Sequence, residues 1–213
     1  MEKFKQHWFA LTAKYSNDEF VVRQLYDDLV RHYKEPHRFY HTVSHIEKLL
    51  SLAVFFSPKL AARDVVEFAI FYHDVIYNPG RGDNEFQSAA IAKEALVRLG
   101  FPRQTCEEVL IFIEATSAHQ LLAATNTEDL KYFLDFDLNI LAAEKEEYAA
   151  YAAAVRKEFY SVPDAQYSLG RSGFLKSLLK KPNIFFTIQF QTEKEGQARK
   201  NIQKEIDDLT PHI

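Results

Sequence analysis

The sequence has little of several residues that often determine the architecture of a small protein. Its 213 residues include one cysteine, six glycines and seven prolines. The single Cys106 excludes an internal disulfide and a thiolate cluster for zinc or iron–sulfur. The scarcity of glycine and proline leaves few turn signals, which disfavours an all-β sandwich or barrel and favours long helices.

The sequence also lacks a strong charge of one sign and long apolar runs. It carries 26 Lys and Arg against 30 Asp and Glu, a formal charge of −4, and the basic residues are scattered. Neither a nucleic-acid polymer nor an anionic membrane is therefore expected as a partner. No apolar run reaches the roughly 20 residues that cross a bilayer, and the first twenty residues are too polar for a signal peptide. We expect a cytoplasmic protein in a reducing compartment.

Hydrophobic periodicity predicts helices along most of the chain. Between residues 18 and 34, apolar positions recur at steps of three and four, with Ser16 or Asn17 as the candidate N-cap. Further helices are expected at about 43–56, 60–76, 83–99, 103–117, 126–143, 144–160 and 192–208. Residues 163–182 are expected to form a loop and a short amphipathic helix, and residues 184–190 are a candidate strand. The simplest account is one all-α domain.

The dipeptide His73-Asp74 lies near the end of the most apolar predicted helix. A charge there is costly unless it is paired or bound to a metal. Adjacent helical positions point about 100° apart, so both side chains reach one cation only at the helix edge. The remaining ligands must come from elsewhere in the chain.

Two other segments offer such ligands. Residues 38–45 contain His41 and His45 at a spacing of four, which places them on one face if the helix has begun by His41. Residues 133–138 embed Asp135 and Asp137 among apolar side chains, where a buried carboxylate needs a counter-ion or several donors.

This ordered set of His, His-Asp and a distant Asp resembles the HD superfamily of metal-dependent phosphohydrolases. The similarity is strongest over residues 71–77 (FYHDVIY), is supported by residues 38–46 and 83–89, and covers about residues 20–205. It implies a single helical bundle over residues 1–213. It further implies a phosphohydrolase that acts on a small phosphate ester or nucleotide.

The resemblance implies a ligand set of His45, His73, Asp74 and Asp137, with Asp135 as the alternative final ligand. Two imidazoles and two carboxylates suit one divalent ion among Mn, Co, Ni, Fe, Zn and Mg, and affinity alone does not select among them. A second ion is not expected, because His119 is the only histidine between His73-Asp74 and the final aspartate. The bound ion would activate a water for hydrolysis.

Other residues are candidates for substrate contact and proton transfer at this site. Asp74, Glu85 and His119 are the candidate catalytic residues. The resemblance assigns Glu85 to orienting the attacking water, and His119 is a candidate phosphate contact or general acid. Arg38 and Arg81 are candidates for holding substrate phosphates, because a guanidinium matches phosphate oxygens. His41 is a further candidate in the pocket.

Each assignment has a structural alternative. His73 can satisfy the last carbonyls of its helix, His41 can bond to backbone, and Glu85 can favour a helix N-terminus. Asp135 or Asp137 can cap the segment that begins at residue 138. For the whole protein, the alternatives are a non-catalytic metal- or nucleotide-binding protein that acts through a partner and, less favoured, a metal-dependent oxygenase. The sequence leaves the oligomeric state open.

Overall fold

A computed structural model describes residues 1–121 and 127–209, and the described residues form α-helices and no strand. This confirms the all-α class. The helices are α1 (Glu2–Thr12), α2 (Glu19–Tyr33), α3 (Val43–Phe55), α4 (Arg63–Tyr72), α5 (Asn84–Arg98), α6 (Arg103–Ala115), α7 (Glu128–Leu138), α8 (Lys145–Glu158), α9 (Asp164–Leu179), α10 (Ile188–Glu193) and α11 (Glu195–Leu209). None of them is long and apolar enough to span a membrane.

The contacts within the chain divide it into two compact units. The first unit is Met1–Phe133 and the second unit is Leu134–Ile213. The single HD-type domain expected over residues 1–213 stays a prediction.

Helix α1 was not predicted, yet it supplies part of the first unit's core. Phe4, Trp8 and Leu11 are buried at helical spacing along its inner face. The Trp8 ring lies edge-on to Phe71 of α4 at 5.2 Å, and its indole N–H donates to the Val22 carbonyl at 3.0 Å. The apolar residues of α1 have the same spacing of three and four that predicted α2, but over a shorter segment.

Helix α4 is central to the first unit, and every residue from Val65 to Tyr72 is buried. Its start is capped from α7: the carboxylate of Asp129 accepts the N–H groups of Ala61 at 2.9 Å and Ala62 at 2.5 Å. The helix ends at Tyr72, four residues before the predicted end at 76. His73 and Asp74 therefore lie in the turn that follows α4 instead of on two positions of a helix.

Helix α2 begins as predicted, but neither Ser16 nor Asn17 caps it. Asp18 is the N-cap, and its carboxylate accepts the N–H of Val21 at 3.1 Å. An Asp in the extended conformation reaches the free N–H groups of the first turn, which is the ordinary role of an N-cap.

The second unit corrects two predictions. Residues 164–179 form the continuous helix α9 instead of a loop and a short helix. The candidate strand at residues 184–190 is not present: residues 184–187 are irregular and α10 begins at Ile188.

Two carboxylates explain why residues 184–187 do not form a strand. Glu195 accepts the N–H groups of Ile184 and Phe185 at 2.9 to 3.2 Å. Asp135 accepts the N–H groups of Phe186 and Thr187 at 2.7 and 2.8 Å, and the Thr187 hydroxyl at 2.6 Å. The donors that a strand would pair with a neighbour are therefore already used.

Candidate metal centre

His45, His73 and Asp74 converge at the end of α4 in the first unit. The Nε2 atoms of His45 and His73 lie 3.3 Å apart. The Oδ2 atom of Asp74 lies 3.0 Å from Nε2 of His73 and 3.6 Å from Nε2 of His45. Both histidine side chains are 1% exposed, and that of Asp74 is 18% exposed. The turn after α4 makes this possible, because two neighbouring residues outside a helix can direct their side chains to one point.

These separations fit a first-row divalent ion. With bonds of about 2.0–2.1 Å, adjacent ligand atoms lie about 2.9–3.4 Å apart in octahedral or tetrahedral coordination. Two of the three separations fall in this range, and the His45–Asp74 distance of 3.6 Å is slightly longer. Imidazole nitrogens with one carboxylate oxygen are ligands that such ions accept.

The backbone fixes the tautomer of His73. Its Nδ1 lies 3.0 Å from the carbonyl of Ile70, and since a carbonyl only accepts hydrogen bonds, Nδ1 carries the hydrogen. In the neutral ring, Nε2 then presents a lone pair to the carboxylate of Asp74. Two such acceptors at 3.0 Å repel each other unless a proton or a cation lies between them.

The ionisation of Asp74 reflects the same arrangement. Burial alone would raise its pKa, but the imidazoles of His73, His41 and His45, when they are protonated, lower the pKa of this carboxyl below the ordinary range of an aspartate. The carboxylate is therefore ionised at neutral pH, as a metal ligand must be.

Arg38 holds the backbone around this cluster. Its guanidinium is 0% exposed and donates to the carbonyls of Asp74 at 2.7 Å, Val75 at 2.9 Å and His41 at 3.2 Å. Its Nε donates to Glu35 at 2.9 Å. The residue expected to hold substrate phosphate is thus turned inward, and its contacts give it a positioning role.

Two tyrosine rings pack around the same arginine, and two histidines contact one of these tyrosines. The rings of Tyr33 and Tyr77 lie 5.2 and 5.6 Å from the guanidinium of Arg38. His41 stacks on Tyr77 at 4.0 Å, and Nε2 of His37, to which the sequence assigned no role, lies 2.8 Å from the Tyr77 carbonyl. In the sequence, the feature that could have indicated these contacts is the high density of polar and aromatic residues between 37 and 45.

A serine of α5 anchors the next residue of the turn. Ser88 is fully buried, accepts the N–H of Ile76 at 3.0 Å and lies 3.2 Å from its carbonyl. Phe133 covers the cluster from α7, with its ring edge-on to His73 at 5.8 Å. The backbone that carries His73 and Asp74 is therefore held by Ser88 of α5 and by Arg38 of the segment between α2 and α3.

Other predicted site residues lie outside the three-residue cluster. Glu85 is half-buried in the first turn of α5, and His119 follows α6 with a positive φ of 44°. Arg81 is exposed and pairs with Asp83 through two bonds of 2.6 and 2.7 Å. Their catalytic and substrate-binding roles stay predictions.

The final ligand predicted from the resemblance lies in the second unit. Asp137 is half-buried near the end of α7. Both oxygens of Asp135 are occupied by the donors of Phe186 and Thr187, which gives this residue a structural role in its own unit. Asp137 as fourth ligand stays a prediction.

Comparisons of the chain with family models, curated proteins and solved structures found no match.

Proposed function

We propose that this chain is an HD-type metal-dependent phosphohydrolase that acts on a small phosphate ester or nucleotide. One observation supports the proposal most strongly: Nε2 of His73 lies 3.0 Å from Oδ2 of Asp74, and Nε2 of His45 lies 3.3 Å from Nε2 of His73. A divalent cation bound by these three ligand atoms, two of which belong to buried histidines, would remove the repulsion between them.

His45, His73 and Asp74 would hold the ion, with Asp137 as the expected fourth ligand. When bound, the metal would lower the pKa of a coordinated water and neutralise charge on the phosphoryl group. The Ile70 carbonyl keeps the proton of His73 on Nδ1, so that Nε2 is available as a ligand. Arg38 keeps the Asp74 backbone in place through its carbonyl.

Glu85 is the candidate that orients the attacking water. Its side chain is half-buried and makes no hydrogen bond or ion pair within the described residues. An acidic side chain without a partner, close in sequence to the turn that carries the ligands, is available to accept a proton from water. His119 would donate a proton to the leaving group or contact phosphate.

Metal analysis of the purified protein tests this proposal. We expect one equivalent of a divalent ion per chain in the wild type and loss of that ion in His73→Ala and Asp74→Ala, with helix content unchanged by circular dichroism. His7→Ala, which alters a histidine in α1 away from the cluster, is the matched control and should retain the ion. Full occupancy in both cluster variants would refute the ligand assignment.

Activity is tested separately, with nucleotides and small phosphate esters and with Mn, Co, Ni or Mg added back. Glu85→Gln should retain the metal and lose about 100-fold or more in kcat, since general acid–base catalysis typically contributes that much. If metal-loaded wild type hydrolyses none of these esters, the protein is a metal-binding protein without this activity.

A further inference from the structure

The backbone hydrogen bonds change at the end of α4. In an α-helix each N–H donates to the carbonyl four residues earlier. The N–H of His73 still does so, to Ala69 at 2.9 Å, whereas the N–H of Val75 donates to Tyr72 at 3.1 Å, only three residues earlier. The helical pattern is therefore broken between these two positions, and Asp74 lies at the break.

Side chains occupy the two carbonyls that a longer helix would use next. A helix that continued past His73 would take Ile70 and Phe71 as its next acceptors. Instead, Nδ1 of His73 lies 3.0 Å from the Ile70 carbonyl, and the hydroxyl of Tyr33 donates to the Phe71 carbonyl at 2.9 Å. A side chain that inserts into the backbone hydrogen bonds of a helix bends or ends it.

Tyr33 is the last residue of α2, and it is 1% exposed. Burial, followed by the charge of Asp74, raises the pKa of Tyr33 well above its ordinary value, while the backbone N–H of Asp74, which faces the same hydroxyl oxygen, acts in the opposite direction. The hydroxyl therefore keeps its proton and donates it to the Phe71 carbonyl. One hydroxyl thus lies between a carbonyl of α4 and the N–H of a proposed metal ligand.

Tyr33 and Arg38 hold two different backbone groups of Asp74. The hydroxyl of Tyr33 faces the N–H, and the guanidinium of Arg38 donates to the carbonyl at 2.7 Å. The Tyr33 ring is itself fixed by packing, because it lies 5.2 Å from the Arg38 guanidinium and edge-on to Phe4 at 6.3 Å. The position of the hydroxyl is therefore set by the core of the first unit.

We propose that Tyr33 is a positioning residue for Asp74. Its hydroxyl ends α4 at Tyr72, because it takes the Phe71 carbonyl out of the helical pattern. The turn that results brings the carboxylate of Asp74 to 3.0 Å from Nε2 of His73, whereas in a continuing helix these side chains would point about 100° apart. The metal-binding consequence rests on the function proposed above, but the effect on the backbone does not.

Tyr33→Phe tests this role in the full chain, because it removes the hydroxyl and keeps the ring that packs on Phe4 and Arg38. In the metal-free variant we expect the ¹³Cα NMR shifts of residues 73–76 to move towards helical values. Titration with Co²⁺, followed by its visible absorption, should show affinity weakened about tenfold or more, as expected for a residue that orients a metal ligand. A merely structural role would lower resistance to urea and change neither measurement.

Tyr148→Phe is the matched control. It also removes a buried tyrosine hydroxyl, which donates to Glu205 at 2.5 Å in the second unit, so it should lower resistance to urea but leave Co²⁺ affinity and the shifts of residues 73–76 unchanged. Circular dichroism checks that both variants fold. The proposal is overturned if Tyr33→Phe leaves these shifts unchanged, or if it binds Co²⁺ as tightly as a wild type that binds the ion. If the wild type binds no Co²⁺, the proposed function fails, and the shifts alone decide whether Tyr33 ends α4.

Discussion

Replacing Arg38 tests the role that its contacts indicate. The guanidinium is fully buried and donates to the carbonyls of His41, Asp74 and Val75 and to the carboxylate of Glu35. Arg38→Met keeps a long side chain but removes every donor. The carbonyls that it leaves without partners lie in the backbone that carries the proposed ligands.

The expected cost follows from these bonds. An acceptor left unsatisfied in the interior costs about 1–3 kcal/mol, and removing one member of a buried charged network costs about 3–5 kcal/mol. We therefore expect Arg38→Met to lower the free energy of unfolding by about 3–5 kcal/mol. For a chain of this length, that corresponds to a fall in Tm of roughly 6–20 °C. Arg38→Lys keeps the positive charge but lacks the planar guanidinium, so its free energy of unfolding should lie between those of the wild type and Arg38→Met.

Urea denaturation of the metal-free protein, followed by circular dichroism, measures this cost. Arg103→Met is the matched control, because the Arg103 side chain is 94% exposed and its ion pair with Glu107 should contribute at most about 1 kcal/mol. If the function proposed above is correct, Arg38→Met should also weaken Co²⁺ binding about tenfold or more. A change of less than about 0.5 kcal/mol in Arg38→Met would refute the positioning role, since surface substitutions typically have effects of that size.

Two further predictions concern carboxylates that bind backbone N–H groups. Asp129→Ala removes the acceptor of Ala61 and Ala62 and should cost about 1–2 kcal/mol by urea denaturation, whereas Glu128→Ala, on the exposed neighbour, should cost less than about 0.5 kcal/mol; equal effects would contradict the cap. Burial raises the pKa of Asp135 to about 6, despite the hydrogen bonds from Thr187 and Phe186 that act in the opposite direction. The native state therefore keeps this proton to higher pH than the unfolded chain does, and the resulting stability, up to about 3 kcal/mol, is present below about pH 4 and lost as pH rises through about 6. Carboxyl-carbon NMR should show a midpoint near 6 that is absent in Asp135→Asn, and a midpoint below 4 would contradict it.

The recurrence of apolar residues at steps of three and four predicted most of the helices, because a long amphipathic segment carries this pattern within its own sequence. Helix α2 was predicted within one residue at each end. The candidate strand at 184–190 was wrong because its β-rich composition gave no sign that Asp135 and Glu195, from other segments, would take its N–H groups. Helix α1 was not predicted, although Phe4, Trp8 and Leu11 carry the helical spacing of apolar residues.

The sequence predicted that His45, His73 and Asp74 lie together but not the backbone geometry that brings them together. The apolar pattern of residues 60–76 predicted a helix as far as residue 76, and in such a helix the side chains of His73 and Asp74 would point about 100° apart. The turn after Tyr72 is held by the hydrogen bond that Arg38 donates to the Asp74 carbonyl and by the one that Ser88 accepts from the N–H of Ile76, and the local sequence pattern contains neither. Arg38 was predicted to hold substrate phosphate, and only the structure shows that its guanidinium is buried against backbone carbonyls.

The early end of α4 has a consequence for how sites of this kind are recognised in other chains. The positions of His73 and Asp74 depend on residues outside the proposed ligand set: the Ile70 carbonyl orients the His73 ring, Arg38 binds the Asp74 carbonyl, and Ser88 binds the backbone of Ile76. A sequence that kept the histidine and aspartate but lost these partners would keep the signature without the site. A search that scores Arg38 and Ser88 together with the ligands would separate the two cases.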